Sequence, residues 1–519
     1  MGNKSNEAVT SKILLLAIYS TGIIIGGGIL ALPFVALDSG IIFLMFILII
    51  LAVVFIVIYN RILESISYSL KDAEGKDIGL QTYDYALLKS GLKKWGKIAF
   101  TIGIILYVYP ADIVYILYGL KSIIELSNYL TINSSIFLAT LLLTVIFLSI
   151  SYYSYSRNFS PISALLSKLF MMAIIWLVSI SIVLSIGESL RVIMASLGFT
   201  ISVIVGEYFP ERTKHIEIVE KDDEADYEIL PRHKAQAILT VFKVTLIVLV
   251  PLLAFYLIYT KAGLAQSASL FPRSIVSLVD SFSVIVFMYV GSGVYNILIY
   301  KWILEKINRG KKIVSLGVII SLIVYMIFTA IILLVVDASI LEISDINREH
   351  AFIALSRKLA SIGLSTMAYI VIGLASLFAL VSVSVAYIGF TDTLSERLEL
   401  DLKANRDYTW LTITFVVFIS TTLLELFKVS KIATDALGVA GNAGGGLFLL
   451  IIPWLMVTKK DKGKPLYALI FLGLITLVNI FMLFSGTTLV AQISALIATI
   501  LVVVFGLLTF MEWKRQIIK

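Results

Sequence analysis

Long apolar runs separated by short polar stretches recur from one end of the chain to the other. Fourteen runs approach the length a helix needs to cross a bilayer: roughly 12–37, 41–62, 98–120, 134–153, 160–184, 190–207, 236–260, 277–301, 313–336, 359–390, 408–427, 432–457, 465–485 and 489–512. The sixth is the weakest, being short and flanked by Glu188 and Arg191. Residues 208–235 form the one sizeable hydrophilic segment and read as a solvated cytoplasmic loop around Glu220-Lys221-Asp222-Asp223-Glu224. The pattern predicts an all-α polytopic membrane protein, multi-pass in the cell membrane.

Composition agrees. Of 519 residues, 59% are hydrophobic and 14% charged, a balance that no soluble domain carries. The first run is too long for a signal peptide and lacks a small-residue cleavage site, so it is expected to act as its own membrane-targeting segment. Loop charges set the orientation. With the amino terminus inside and the spans alternating, about thirty Lys and Arg fall inside and about nine outside. That bias puts both termini in the cytoplasm. The net charge of +7 therefore reflects membrane orientation and not nucleic-acid binding. With no cysteine, thiolate metal sites and thiol nucleophiles are excluded. His215, His233 and His350 all fall in predicted loops, and no cluster has metal-ligand spacing. The expectation is a non-enzyme with no metal or cofactor.

The first run holds three consecutive glycines, Gly26, Gly27 and Gly28, followed by Pro33. Glycine costs about 1 kcal/mol relative to alanine inside a helix, so three together favour a break. A break at membrane depth exposes backbone groups that lipid cannot satisfy, and it is tolerated where it lines a cavity. Half-helix ends of this kind hold ions and zwitterions in secondary transporters. Close helix packing through small residues is the alternative.

The string Gly22-x-x-x-Gly26-x-Gly28-x-Leu30-Ala31-Leu32-Pro33 resembles the first helix of the aromatic and hydroxy amino acid permeases of the amino acid–polyamine–organocation superfamily. The resemblance extends over most of 12–457. It includes Tyr85 to Gly96, Tyr289-Val290-Gly291-Ser292-Gly293, the cationic turn Lys306 to Lys312, Val381-Ser382 with Gly389-Phe390-Thr391-Asp392, and Ala436 to Gly441 before Pro453. It implies a LeuT-type fold of two inverted five-helix repeats within about 14 transmembrane helices, forming one transporter domain over 1–519. The first repeat would be 12–184 and the second 277–457. An inserted hairpin at 185–262 and two carboxy-terminal helices at 465–512 would complete the chain. A rival alignment ends the sixth helix near Gly198-Phe199 and Glu207 to Arg212 and makes 277–336 the insertion.

The resemblance also implies a site. Gly26, Gly27 and Gly28 would offer N–H groups to a substrate carboxylate. Backbone at Tyr289, Gly291, Ser292 and Gly293 would offer carbonyls to the amine, with Phe287, Tyr295 and Asn296 shaping the pocket. Lys168 would take the place of a coupling sodium ion, facing the Gly22 to Ile25 carbonyls and Ser382. A lysine at membrane depth is functional by default, with snorkelling as the alternative. Asp112, buried after Pro110, would meet a substrate amine, relay protons, or bond to Tyr109 and Tyr115. Lys243 is the other mid-span cation.

The leading expectation is a proton-coupled secondary transporter of apolar or aromatic amino acids, with amino acid, protons and lipid as its partners. Two rivals stand: a fourteen-helix lipid-linked oligosaccharide flippase, and a transporter-like nutrient sensor that binds without flux.

Overall fold

The computed structural model describes residues 2–70, 93–130, 161–183, 187–208, 231–265, 271–272, 275–290, 307–429, 431–441, 444 and scattered positions from 477 to 511. Among the described residues the chain is helical throughout, with no strand. Among the described residues six helices are long and apolar enough to cross a membrane, and a seventh crossing is formed if the bent first pair counts as one. The predicted span 134–153, and most of 432–457, 465–485 and 489–512, lie outside the described residues.

The first crossing is α1 (Gly2–Ile24), a 3₁₀ turn (Gly27–Ala31) and α2 (Leu32–Ser39), with a 54° bend between 13–22 and 27–39. Gly40, at φ +78°, turns the chain into α3 (Ile41–Leu70). Next come α4 (Lys93–Leu130), α5 (Pro161–Val183), α6 (Glu188–Tyr208), α7 (Pro231–Ala262) and α8 (Ile275–Val290). α9 (Ile307–Val335) leads into two short helices, α10 (Ala338–Ile346) and α11 (Ala351–Ser361). Another long crossing follows as α12 (Ser365–Phe378), a π-helical turn (Ala379–Val383) and α13 (Ser384–Leu402). α14 (Arg406–Leu426) and α15 (Ile432–Val439) complete the described elements.

Two boundaries correct the sequence reading. The apolar run read as one span over 359–390 is divided at Gly363, whose φ of +76° suits glycine, and the crossing proper runs from Ser365 to Leu402. Between the spans expected at 313–336 and 359–390 the chain forms α10. His350, assigned to a loop, caps α11 and is fully buried.

Burial is inverted relative to a soluble protein. α3 has a mean hydropathy of 3.8 over its span, yet only 33% of that span is buried. Phe46, Val53, Leu253 and Phe415 each leave more than half their surface outside, while Asp112, Lys243, Arg397 and many serines and threonines are inside. A surface this apolar fits a lipid surround. The interior is built on α1, which packs on α7 and α9, and on α4, which packs on α6, α13, α14 and α15. The 3₁₀ turn lies between them, against α4, α8, α15 and the π-helical turn.

Candidate functional site

The centre of the molecule is the bend in the first crossing. α1 ends as Ile25 N–H bonds to the Thr21 carbonyl and Gly26 N–H turns back to the Ile24 carbonyl at 2.9 Å. Gly26 is extended, with φ −99° and ψ −158°. The N–H of Gly26 is therefore already engaged by its own chain, which departs from the role expected for it. Gly27 and Gly28 open the 3₁₀ turn, whose first N–H groups have no acceptor within their own helix.

The glycines are required by what presses on them. A Cβ on Gly27 would fall 2.6 Å from the Tyr115 ring of α4, and one on Gly28 would fall 3.0 Å from Met288 and 3.1 Å from Phe287 of α8. At Gly26 the nearest atom would be the Tyr115 hydroxyl, at 3.2 Å. Beside these contacts lies a cavity of about 10 Å³, room for about one water, lined by Gly26, Gly28, Tyr107, Tyr115, Phe287 and Phe390 among others. Its aromatic wall is continuous: ring centroids lie 5.3 Å apart for Tyr107–Phe287 and Tyr107–Phe390, and 5.6 Å apart for Tyr115–Phe390.

Four side chains tie the end of α1 to its neighbours. Lys243 of α7 donates to the Gly22 carbonyl at 3.1 Å. Tyr325 of α9 donates to the Ile24 carbonyl at 2.8 Å. Thr21 donates to the carbonyls of Ala17 and of Gly317 in α9. Thr240, one turn before Lys243, lies so close to Gly22 that a Cβ there would overlap it. Small residues at a helix crossing permit this approach.

Lys243 thus reaches a carbonyl of the first helix, the relation also expected of Lys168. Lys168 lies on α5, and its side chain is outside the described residues. α5 packs on the π-helical turn that carries Ser382, and the Ser382 side chain is fully buried. π-turns interrupt the helical ladder and are frequent at functional sites. This one faces the 3₁₀ turn, and a Cβ on Gly27 would come within 3.7 Å of Val383.

Asp112 is fully buried but does not line the cavity. Thr391 of α13 donates to its Oδ2 at 2.9 Å, and its Oδ1 has no hydrogen-bond partner among the described residues. Tyr115, which shares its helix, takes the cavity position instead. Tyr289 is fully buried. Its hydroxyl donates to the Leu48 carbonyl at 3.1 Å, and its own carbonyl accepts from Tyr59 of α3. Gly291, Ser292, Gly293, Tyr295 and Asn296 lie outside the described residues.

A second cluster sits at the α10–α11 hairpin. Glu425 of α14 pairs with Lys121 of α4 at 2.6 Å and with Arg348 at 2.7 Å, all three being largely buried. Arg357 pairs with Glu349 and Glu125, and Lys431 lies 3.7 Å from Asp345. His350 meets the Ser122 hydroxyl at 2.9 Å through Nε2. Burial pushes the His350 ring down to about 3 and the Asp345 carboxyl up to about 6, Lys431 opposing the latter. Burial also raises Glu349, against the pull of Arg357. Among the described residues no group of three His, Cys, Asp or Glu could hold a metal ion.

No protein-family model matches the chain, and no curated protein matches it.

Sequence reasoning missed Lys243, Tyr59 and Tyr325 as site residues. Lys243 had a signal, since it is one of two cations at mid-span. The tyrosines had none, because tyrosine in an apolar helix is ordinarily a packing residue.

Proposed function

We propose that this protein is a proton-coupled secondary transporter of amino acids, working by alternating access in the cell membrane with both termini in the cytoplasm. The reading extends to a LeuT-type arrangement of about 14 crossings related to the amino acid–polyamine–organocation superfamily. The observation that carries it is the bend at Gly26–Gly28, where Gly26 and Gly28 line an aromatic, uncharged cavity inside an apolar helical bundle. An uncharged wall suits an apolar or aromatic side chain, and the open helix end suits a carboxylate. At about 10 Å³ the cavity corresponds to a closed state that must open on one side to admit substrate.

Proton coupling is assigned to Lys243. Its ammonium is held by a backbone carbonyl of α1, and Lys243 lies in an apolar stretch where a permanent charge is costly. Loss of its proton turns the charge-assisted bond to the Gly22 carbonyl into a weaker neutral one and loosens α1.

The test is uptake of a labelled amino-acid mixture into sodium-free proteoliposomes, with and without an inward proton gradient. Wild type, Lys243→Ala and Lys168→Ala are run together. Gradient-driven uptake is expected, uncoupled by Lys243→Ala and retained in Lys168→Ala. No uptake of any amino acid by folded protein would overturn the transporter reading. Ligand binding without flux would convert it to a sensor.

A further inference from the structure

Next to Tyr115 on α4 lies a polar group that the cavity does not use. It is formed where α4, α13 and α14 pack on one another. Asp112 of α4 is fully buried, as are Thr391 and Tyr387 of α13, and Thr414 of α14 is 1% exposed. Thr391 donates to Asp112 Oδ2 at 2.9 Å. The hydroxyls of Thr391 and Thr414 both stand beside that of Tyr387, and the phenols of Tyr387 and Tyr115 are close enough to Asp112 to feel its charge. Phe199 of α6 packs edge-on against the Tyr387 ring, with centroids 6.1 Å apart. Among the described residues, Asp112 Oδ1, Tyr387 Oη and Thr414 Oγ1 have no hydrogen-bond partner. Among the same residues no cation acts on Asp112, and Lys243 is held by the Gly22 carbonyl.

An ionised carboxylate in this place would face an apolar interior with one hydrogen bond and no counter-charge, and a group so placed neutralises instead. The neutral acid fits the contact that is present. With the proton on Oδ1, Oδ2 is the carbonyl oxygen, and it is Oδ2 that accepts from Thr391. The neighbouring hydroxyls suit either form, because a hydroxyl can accept from the acid or donate to the carboxylate. Glu425 is a contrast: Lys121 and Arg348 fix it as a carboxylate.

We propose that Asp112 is a proton-binding site distinct from Lys243, its carboxyl carrying an exchangeable proton on Oδ1, with Tyr387 and Thr414 as the hydroxyls through which that proton is exchanged. Release makes and breaks only O–H bonds. The acid proton passes from Asp112 to the Tyr387 oxygen, the phenol's own proton passes to Thr414, and Thr414 gives its proton to water; the reverse sequence restores the acid. A bound proton makes Lys243 a cation but makes Asp112 neutral, so the two sites answer the same proton with opposite changes in what the interior must hold. Asp112 does not line the cavity, so this site is not the partner of a substrate amine. The proposal goes beyond the assignment of coupling to Lys243. Its test uses neither cargo nor gradient, so it stands or fails separately from the transporter reading.

Infrared spectra of the full chain in nanodiscs at pH 7 read this proton directly, because the carbonyl stretch of an unionised carboxyl lies clear of the amide bands. Wild type in choline chloride is expected to show such a band that Asp112→Asn lacks. Transfer to heavy water is expected to shift the band, and Tyr387→Phe and Thr414→Val are each expected to slow that shift about tenfold. Thr391→Val removes the donor on Oδ2 and is expected to move the same band to higher frequency. That displacement assigns the band to Asp112 even where Asp112→Asn does not fold. A wild-type spectrum that matches Asp112→Asn, or a band that Thr391→Val leaves in place, overturns the proposal. So does a band that heavy water does not shift, or one that shifts at the wild-type rate in both hydroxyl variants. Loss of the band when sodium replaces choline would make the site one for a metal cation and overturn it equally.

Discussion

At the centre of the molecule, the end of α1 is held by single bonds to backbone carbonyls, from the Tyr325 phenol, the Thr21 hydroxyl and the Lys243 ammonium. At the α10–α11 hairpin, buried ion pairs do the holding. The energetics of the two devices differ. A neutral hydroxyl–carbonyl bond contributes about 1 kcal/mol net, and losing it temporarily is tolerable. A buried ion pair adds little net stability over an apolar packing, but breaking it by removing one partner costs about 3–5 kcal/mol. The centre is therefore suited to making and breaking contacts. The ion pairs tie the hairpin to α4 and α14, so that it moves with them as one body.

The largest expected effect follows from Glu425. Replacing it with alanine leaves Lys121 and Arg348 buried and unpaired. Arg348 also sits at φ +61°, a conformation that non-glycine residues adopt only when their surroundings enforce it. Glu425→Ala is expected to destabilise by about 3–5 kcal/mol, read as a lower thermal midpoint in nanodiscs. A midpoint within error of wild type would show that the hairpin is not held by charge and would remove the contrast.

Gly27→Ala tests the centre. The added Cβ would meet the Tyr115 ring at 2.6 Å, so either the ring or the 3₁₀ turn must shift. Overpacking of this kind costs about 1–3 kcal/mol, and any uptake is expected to fall more than stability does. Combining Gly27→Ala with Tyr115→Leu, which removes the ring, is expected to recover stability and not uptake.

The sequence carried the membrane class and the position of the first bend because both depend on local chemistry. Apolar runs of bilayer length and three adjacent glycines are visible without knowing what packs on them. Lys243 and Lys168 show the limit. Both are mid-span cations, and it is the crossing of α7 over Gly22, with Thr240 in close contact, that brings Lys243 to a carbonyl of α1. Asp112 was legible as buried. That it turns to Thr391, 279 positions away, while Tyr115 takes the cavity wall, depends on the rotation of α4 against α13. His350 was misread because a polar residue between apolar runs resembles loop, whereas it caps a short helix pressed against Tyr118 and Ser122 of α4.

His350 also sharpens the contrast through pH. Its folded pKa of about 3 lies below the ordinary 6.5, so the stability it contributes is complete above about 6.5 and is lost as pH falls towards 3. Between pH 7 and pH 5 the loss from this group is about 2 kcal/mol. Asp345 opposes it over part of the same window: its carboxyl is raised to about 6, so acidification relieves a burial cost between about 6 and 3.8. Wild type is therefore expected to show a shallow pH dependence. His350→Gln, which removes the destabilising group, is expected to become more stable on going from pH 7 to pH 5. Thermal midpoints across that range check the sign, and a variant that loses stability on acidification as wild type does would exclude His350 as the cause.

Arg357 supplies the smallest effect and the finest distinction. Its side chain is about one-third exposed, so its pairs with Glu349 and Glu125 are partly screened, and its removal is expected to cost about 1 kcal/mol or less. The cost should depend on pH in a way that a lost packing contact would not. Glu349 is 4% exposed, and Arg357 is the chief group opposing the upward pull of burial on its carboxyl. In Arg357→Ala that carboxyl takes a proton more readily, and a neutral Glu349 no longer needs a cation. The deficit of Arg357→Ala relative to wild type is therefore expected to shrink as pH falls from 7.5 towards 5. A deficit that stays constant over that range would mean that Arg357 acts through its aliphatic stem, and that the charge network ends at Glu425.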